Sequence, residues 1–487
     1  MSTLPEKWSL AAIGDVANIE TGSTPPKQKA SLYGSGYPFF KPGDLGNTDL
    51  IFSSEESVTE EGARTGRLIP ANSVLISCIG NLGKSALTGR DSICNQQINA
   101  VLPTEAALPR YLLHWSRTIR GWMEENSSAT TIRIINKGRF SAAPLPLAPL
   151  AEQRRIVSRI DSLSAKSKRA RDHLDHVPRL VAAYRQAVLV AALTGRLTAE
   201  WRRNVGCPQS ATELIAATDE PAKSRGGREA TDAIKPGQAA LSINKPNLLA
   251  PENWSWVRLS RISRQETGHT PSRSKPEYWD GGVPWIGIRD AGAHHGRLIH
   301  QTIQTISDLG LQNSSARLLP AGTVCLSRTA SVGYVTIMGA TMATSQDFAT
   351  WSCSEALDPK YLMYALMAEG ERIRDFGEGS THTTIYFPEI RALHICLAPK
   401  LEQAEIVRRV EAAFSWIGSL AAEATSARKL MDHLDQAVLS KAFRGELVPQ
   451  DPNDEPASVL LERIKTTKAI SLQPRRGRGR PRLATRA

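Results

Sequence analysis

The chain repeats itself, and that repeat limits the fold more than any other feature of its 487 residues. Trp8-Ser9 recurs as Trp254-Ser255, Glu20-Thr21-Gly22 as Glu266-Thr267-Gly268, and Thr24-Pro25 as Thr270-Pro271. Pro38 likewise matches Pro284 and Asp44 matches Asp290, all displaced by 246. After a four-residue slip the displacement becomes 250 and stays there: Arg67-Leu68-Ile69-Pro70-Ala71 matches Arg317-Leu318-Leu319-Pro320-Ala321, and Gly83 matches Gly333. Glu152-Gln153, Ile156-Val157, Gln186-Ala187-Val188-Leu189 and Gly195 return as Glu402-Gln403, Ile406-Val407, Gln436-Ala437-Val438-Leu439 and Gly445. So many ordered matches mean a tandem duplication of a unit of about 200 residues.

Each unit has two parts. The first mixes short β-like runs (Ser73 to Ile76, Thr323 to Leu326) with Gly/Pro turns and a helix over 109–124 or 359–374, an α+β pattern. Asp358-Pro359 reads as a helix cap with proline at the first helical position. The second part is a long helix with a heptad seam. In unit one the seam is Ile156, Ile160, Leu163, Ser167, Ala170, Leu174, Val177, Val181, Tyr184 and Val188. In unit two it is Ile406, Val410, Ala413, Ile417, Leu420, Ala424, Ala427, Met431, Leu434 and Val438. At 1.5 Å per residue each helix makes a rod of about 60–70 Å, and two such seams in one chain should pack as a coiled coil. Pro178 should kink or break the first rod. The order is then a globular domain over 1–150, a helix over 151–202, a linker over 203–250 with a short helix at Ala211 to Ala217, a second domain over 251–400, a second helix over 401–448, a helical region over 449–474 and a disordered arginine-rich tail over 475–487. The linker reaches either end of a rod, so its length does not choose between parallel and antiparallel helices.

Charge is placed unevenly. The net charge is +12, yet residues 1–150 hold 14 basic and 13 acidic side chains and residues 251–400 hold 14 of each. Residues 151–201 hold 10 against 5, and the last thirteen residues hold six arginines and no acid. The basic face of the first helix (Arg154, Arg155, Arg159, Lys166, Lys168, Arg169, Arg171) is a solvated face or a phosphate track. Arg478-Gly479-Arg480-Pro481 is similar to an AT-hook, which places Arg478 and Arg480 in a minor groove, or is a solvated tail. Six cysteines without a Cys-x-x-Cys exclude a disulfide scaffold and a zinc ribbon and fit a reducing cytoplasm. No long apolar run suits a membrane span, and the polar start lacks the apolar core of a signal peptide.

Motifs for catalysis fail on inspection. Gly80 to Ser85 resembles the end of a phosphate loop, but Cys78 stands where its first glycine belongs and the repeat has no lysine there. Asp358-Pro359-Lys360 mimics part of a nuclease motif without a partner acid in the repeat. His294-His295 has no further ligand at metal spacing, so no metal site is expected. No methyltransferase motif and no Gly-x-Gly-x-x-Gly occurs, which points to a non-catalytic chain.

Taken in order, the Trp8 and Trp254 openings with Glu-Thr-Gly-x-Thr-Pro, the runs at 149–157 and 401–407, Arg185 to Leu189 with Thr194 to Thr198, and Gln436 to Leu447 make the chain resemble a type I restriction–modification specificity subunit over residues 5 to about 470. The resemblance implies two target-recognition domains, each reading half of a split double-stranded DNA target. It implies antiparallel helices that dock methyltransferase subunits, two of them, and restriction/translocase subunits. S-adenosylmethionine, ATP and Mg²⁺ belong to those partners, with no cofactor in this chain. Candidate DNA contacts are Thr21, Ser23, Lys27, Lys29, Thr130, Arg133, Lys137 and Arg139 in the first domain. In the second they are Thr267, His269, Arg273, Lys275, Arg328, Thr381, His382 and Thr383. The competing readings are a self-contained DNA-modifying enzyme and a coiled-coil adaptor that binds protein only.

Overall fold

The computed structural model describes residues 4–102, 104–128, 132–205, 208–222, 229–378 and 383–471, with backbone only for 467–471. Two compact units result: Met1–Leu174 with Thr425–Ala487, and Asp175–Ala424. They share one frame. In unit one a five-stranded sheet runs in the order Asn18–Thr21, Ile98–Leu102, Val74–Ser77, Ser85–Thr88, Leu50–Ile51. A three-stranded sheet has Tyr33–Phe40 between Ser57–Val58 and Ile93–Cys94. In unit two the same orders recur as Ser263–Thr267, Phe348–Cys353, Val324–Ser327, Val335–Met338, Leu298–Ile299, and as Trp279–Ile286 between Gln304–Ile306 and Ala343–Thr344. Val74 to Ser77 and Val324 to Ser327 are buried throughout, as central strands covered on both faces must be.

Strand registers resolve the sequence slip into two steps. Phe39 pairs with Ile93 and Trp285 with Ala343, but Leu50 pairs with Leu87 and Leu298 with Ile337, so the displacement passes from 246 through 248 to 250. The first step holds the helical turn Ile288–Ala293. Buried faces lock register, so extra residues are tolerated only in connections. The single helix expected over 109–124 or 359–374 is also interrupted in both units. Pro109–Ser116 is followed by Arg120–Glu125, and Pro359–Ala368 by the 3-10 stretch Gly370–Phe376. Gly370, at φ +53, turns the chain out of the second helix. Asp358 does cap its helix, accepting the Lys360 N–H at 2.7 Å.

The long helices are Leu150–Leu193 and Lys400–Phe443, 44 residues each. The first continues through Pro178 rather than breaking; the residue is exposed, so water can take up the carbonyl that proline leaves unpaired. In unit one Ile156 and Ile160 share a core with Ala442 and Phe443, while Arg171 donates to Asp432 (3.0 Å) and Asp435 (2.7 Å). In unit two the Tyr184 and Trp416 rings are 6.4 Å apart and Arg409 donates to the Leu197 carbonyl at 2.8 Å. Within each unit, advancing along one helix means retreating along the other, so the pairing is antiparallel. Ile156, Ile160, Val188, Ile406, Val410 and Ile417 are buried, whereas Leu163, Leu174, Val181, Met431 and Val438 are half-buried. Leu420 and Leu434, placed in the seam by the heptad pattern, are 41% and 53% exposed. Two helices alone cannot enclose every seam position.

The start of each long helix is a clamp. The Gln153 amide donates to the carbonyls of Ala106 and Ala148, both at 2.9 Å, and accepts the Leu108 N–H at 2.9 Å. Gln403 repeats this on Ala356, Ala398 and Asp358 at 2.9, 2.9 and 2.8 Å. Glu152 accepts from the Trp8 indole (2.9 Å) and Gln450 (2.7 Å). Glu402 accepts from Trp254 (2.8 Å), Thr198 (2.6 Å) and Arg202 (2.6 Å). Farther along, Arg110 and His114 both reach Asp161 at 3.0 Å, and Lys360 reaches Glu411 at 2.6 Å in the equivalent place.

Residues 203–250 are more than the expected linker. Ser210 and Glu213 form a capping box for the helix Ala211–Ala217, and Leu241–Ile243 pairs with Leu393–Leu397 in a four-stranded sheet. Ala240, Leu241 and Ile243 are buried. The reason lies in the edge. Unit one ends its equivalent two-stranded sheet with Pro144 and Pro146, and Pro146 has no N–H to offer. Unit two has His394 and Cys396 there, and the Cys396 N–H donates to the Ala240 carbonyl at 2.8 Å. The Glu369 carboxylate pins the same segment through the Gln238 (2.6 Å) and Ala239 (3.3 Å) N–H groups, and burial raises its pKa.

Two outcomes are expected. Gln403→Ala strands buried backbone groups, each worth about 1–3 kcal/mol when left unpaired, so the urea midpoint should fall clearly; an unchanged midpoint would mean that water replaces the amide. For Asp161, burial alone would raise the pKa, but the His114 hydrogen bond and the Arg110 charge outweigh it and hold the carboxyl below its ordinary value. Its stabilisation is therefore complete above the ordinary carboxylate range and disappears as pH falls through the lowered pKa. The stability gap between wild type and Asp161→Asn should be widest at neutral pH and close in acid, as read from denaturation curves across that range.

Candidate nucleic-acid interface

In each unit the Glu-Thr-Gly-x-Thr-Pro run leaves an outer strand and crosses the end of a short one. A side chain on Gly22 would place Cβ 2.3 Å from the Asn95 carbonyl oxygen, and one on Gly268 would sit 1.9 Å from that of Thr344. Only glycine lets the backbones meet, with the Ser23 N–H on Cys94 O at 2.8 Å and the His269 N–H on Thr344 O at 2.9 Å. Glu20 faces Arg67 at 3.6 Å and Lys137 at 3.5 Å; Glu266 faces Arg317 at 3.4 Å and Arg264 at 3.0 Å. The crossing delivers Thr24 to Gln96 and Thr270 to Gln346. Both hydroxyls donate to the amide oxygen at 2.6 Å.

Beyond the crossing lies a loop with an exposed basic tip, carrying Lys27 and Lys29 in unit one and Arg273 and Lys275 in unit two. An aromatic pair anchors its base: Tyr33 against Phe39 (6.5 Å) or Trp279 against Trp285 (5.2 Å). Arg273 stacks 4.8 Å above Trp279, and Lys275 lies 5.0 Å above Tyr278.

A second segment docks on the turn that follows the central strand. In unit one Gly80 donates to the Arg133 carbonyl at 2.9 Å, Arg133 pairs with Glu124 at 3.3 Å, and Arg139 reaches the Asn126 carbonyl at 3.3 Å. In unit two the Ile385 N–H meets the Arg328 carbonyl at 2.9 Å. The Arg328 guanidinium reaches the Gln346 carbonyl at 3.0 Å and stacks 4.5 Å above Phe387. The Gly80 to Ser85 run is the hairpin turn between two strands, with Ser77 Oγ accepting the Lys84 N–H at 2.9 Å. The His295 ring accepts the Val335 N–H at 3.0 Å, and burial lowers its pKa. Among the described residues no group of three or more His, Cys, Asp or Glu is arranged to hold a metal.

The structure sorts the sequence candidates. Lys27, Lys29, Arg133, Lys137, Arg139, His269, Arg273 and Lys275 are exposed, and Arg328 is half-buried beside Gln346. Thr21 and Thr267 spend their hydroxyls on Asn99 and on the Phe348 carbonyl, each at 2.8 Å, and Ser23 accepts the Arg67 N–H at 3.1 Å, so these three brace the crossing. Thr383 helps line a cleft of about 790 Å³ with Tyr334, Arg372 and Arg374. Thr130, Thr381, His382, Arg478 and Arg480 lie outside the described residues. Sequence reasoning passed over Gln96 and Gln346. The signal was there: glutamine returns at a displacement of 250 although both flanking residues differ.

This duplicated frame defines the class. The profile of the type I restriction modification DNA specificity domain matches residues 5–173 and 251–420, and the chain belongs to that family. It is 25% identical to the StySPI specificity subunit of Salmonella potsdam, covering 96% of this chain and 97% of that one. It is 23% identical to the EcoBI specificity subunit of Escherichia coli, covering 96% and 94%. The crystal structure of the HsdS subunit from Thermoanaerobacter tengcongensis shares the fold, with a TM-score of 0.58 at 20% identity over 91% of this chain and 98% of that one.

Gly268→Ala should push the crossing off the Thr344 backbone at a cost of about 1–3 kcal/mol, as overpacking does. Limited trypsin digestion should then cut faster after Arg273, since Pro276 protects Lys275; an unaltered cleavage pattern would mean that the loop absorbs the methyl group.

Proposed function

We propose that the chain is the DNA-recognition subunit of a type I restriction–modification assembly, non-catalytic itself, reading a bipartite double-stranded target with one half for each domain. The observation that carries this reading is the duplication of a single frame, equal in strand order and pairing, beneath loops that differ. Equal frames present side chains alike, and unlike loops offer different base contacts. Two readouts then follow from one chain.

The long helices are the docking surface for methyltransferase and restriction/translocase subunits. Leu180 and Leu430 occupy equivalent helix positions and are 61% and 68% exposed, and Trp416 is exposed as well. Large apolar side chains left open on paired helices suit a protein partner. S-adenosylmethionine, ATP and Mg²⁺ belong to those partners, and the assembly acts on DNA in the cytoplasm. Among the described residues no helix is long and apolar enough to cross a membrane.

The test is a domain exchange. Replacing residues 229–397 with the matching segment of a relative carries the Leu241–Ile243 strand along with its sheet. Mapping methylated adenines in cells that carry the chimera should show one half of the target changed and the other half kept. A continuous target, or two halves that change together, would defeat the one-domain-one-half reading. Methylation or cleavage of DNA by the purified chain alone would favour an enzyme instead.

A further inference from the structure

The two domains differ most where they should meet different bases, so an exposed polar side chain held identically in both calls for a shared target feature. Gln96 and Gln346 are such a pair. Each is exposed at the apex of a turn that its neighbours close: the Gln97 N–H donates to the Asn95 side chain at 3.1 Å, and the Asp347 N–H to the Ser345 hydroxyl at 3.3 Å. The flanking positions changed from Asn and Gln to Ser and Asp and kept only the ability to close the turn. The apex kept its side chain. A hydroxyl holds that side chain at the same 2.6 Å in both units, and each hydroxyl is delivered by a glycine crossing that admits no Cβ.

Resting on the DNA-recognition reading above, we infer that Gln96 and Gln346 are base-reading amides, each directed at an adenine in its own half of the target. Because the threonine hydroxyl donates to Oε1, the carbonyl end of each amide is fixed and one lone pair stays open. The NH₂ group points free beside it. An acceptor next to a donor matches the N6–H and N7 edge of adenine in the major groove and mismatches guanine, which offers two acceptors there. Holding the rotamer in advance removes the ordering cost that an exposed glutamine would otherwise carry. Exposed cations on the loops that carry Thr24 and Thr270, Lys27 and Lys29 or Arg273 and Lys275, are available to neighbouring phosphates.

The test uses the chain assembled with its methyltransferase subunits and duplexes of its mapped target. In one series each adenine is replaced in turn by 7-deazaadenine, which lacks the N7 acceptor. Wild type should lose about 10- to 100-fold in affinity at one adenine of each half. Gln346→Ala should lose as much on the natural duplex, become indifferent to 7-deazaadenine at the position in its own half, and keep the loss in the other half; Gln96→Ala should do the reverse. Gln346→Glu keeps the threonine acceptor but replaces the donor with an oxygen, so its preference at that position should move to cytosine. Unfolding midpoints should match wild type, since both apices are exposed. A specific wild-type complex whose discrimination survives Gln96→Ala and Gln346→Ala at every position would overturn the assignment and leave the DNA-recognition reading standing. A wild-type complex with no sequence preference would overturn both.

Discussion

Everything in each unit hangs on a buried Glu-Gln dipeptide at the first turn of a long helix. A carboxylate and an amide taken out of water must find partners or cost several kcal/mol. Here the partners come from three separate stretches of chain. The indole of Trp8 or Trp254 comes from the residue just before the strand Ser9–Ala12 or Ser255–Arg258. The backbone groups held by Gln153 or Gln403 come from the turn before the domain helix and from the residue that follows the domain's last strand. Gln450, or Thr198 with Arg202, comes from the segment that follows a long helix and returns to the start of its antiparallel neighbour. One small polar cluster therefore ties domain, helix start and helix exit together. Its demands explain why this dipeptide is identical in the two repeats.

A second constraint governs the recognition loops. The Glu-Thr-Gly-x-Thr-Pro run looks like a ligand-binding signature, rich in hydroxyls and glycine, but most of it is joinery. The glutamate balances an arginine, the first threonine satisfies a partner inside the domain, and the glycine permits a backbone crossing. Only the second threonine turns outward, and it does so to hold a glutamine 72 or 76 residues farther along the chain. Loops built on such a rigid base can vary in length and charge without disturbing the sheets beneath, which suits a scaffold that must present different contacts.

The duplication is not perfect, and the departures have physical causes. Unit one blunts its exposed sheet edge with Pro144 and Pro146. Unit two leaves hydrogen-bonding groups there and covers them with a strand from the intervening segment, with Glu369 anchoring the turn. Either device prevents an open edge from pairing with another chain. The anchors between domain and helix vary in the same spirit, with Arg110, His114 and Asp161 in one unit and Lys360 with Glu411 in the other. Charge complementarity is kept while the side chains change.

Much of this was legible in the residues alone. The repeat, the α+β domains, the two long helices and the family resemblance follow from periodicity and ordered identities, which are local or comparative signals. So does the cap at Asp358, because capping involves only neighbouring residues. What sequence reasoning missed depends on which distant groups meet. The strand at Leu241–Ile243 lies in a segment of linker composition, and it became a strand because Cys396 offers an unpaired N–H across the sheet. Pro178 is a local signal for a kink or a break, and the helix runs on through it because exposure to water makes the missing hydrogen bond tolerable. The hydroxyls of Thr21 and Thr267 donate to partners inside the domain, and Gln96 and Gln346 are held by threonines brought in by a backbone crossing; neither arrangement is written along the sequence. Patterning along the chain determined which elements form and that they form twice. Only the tertiary structure decided which polar groups were consumed in holding those elements together and which remained free to face a ligand, because hydrogen-bond satisfaction is settled in space and not along the sequence.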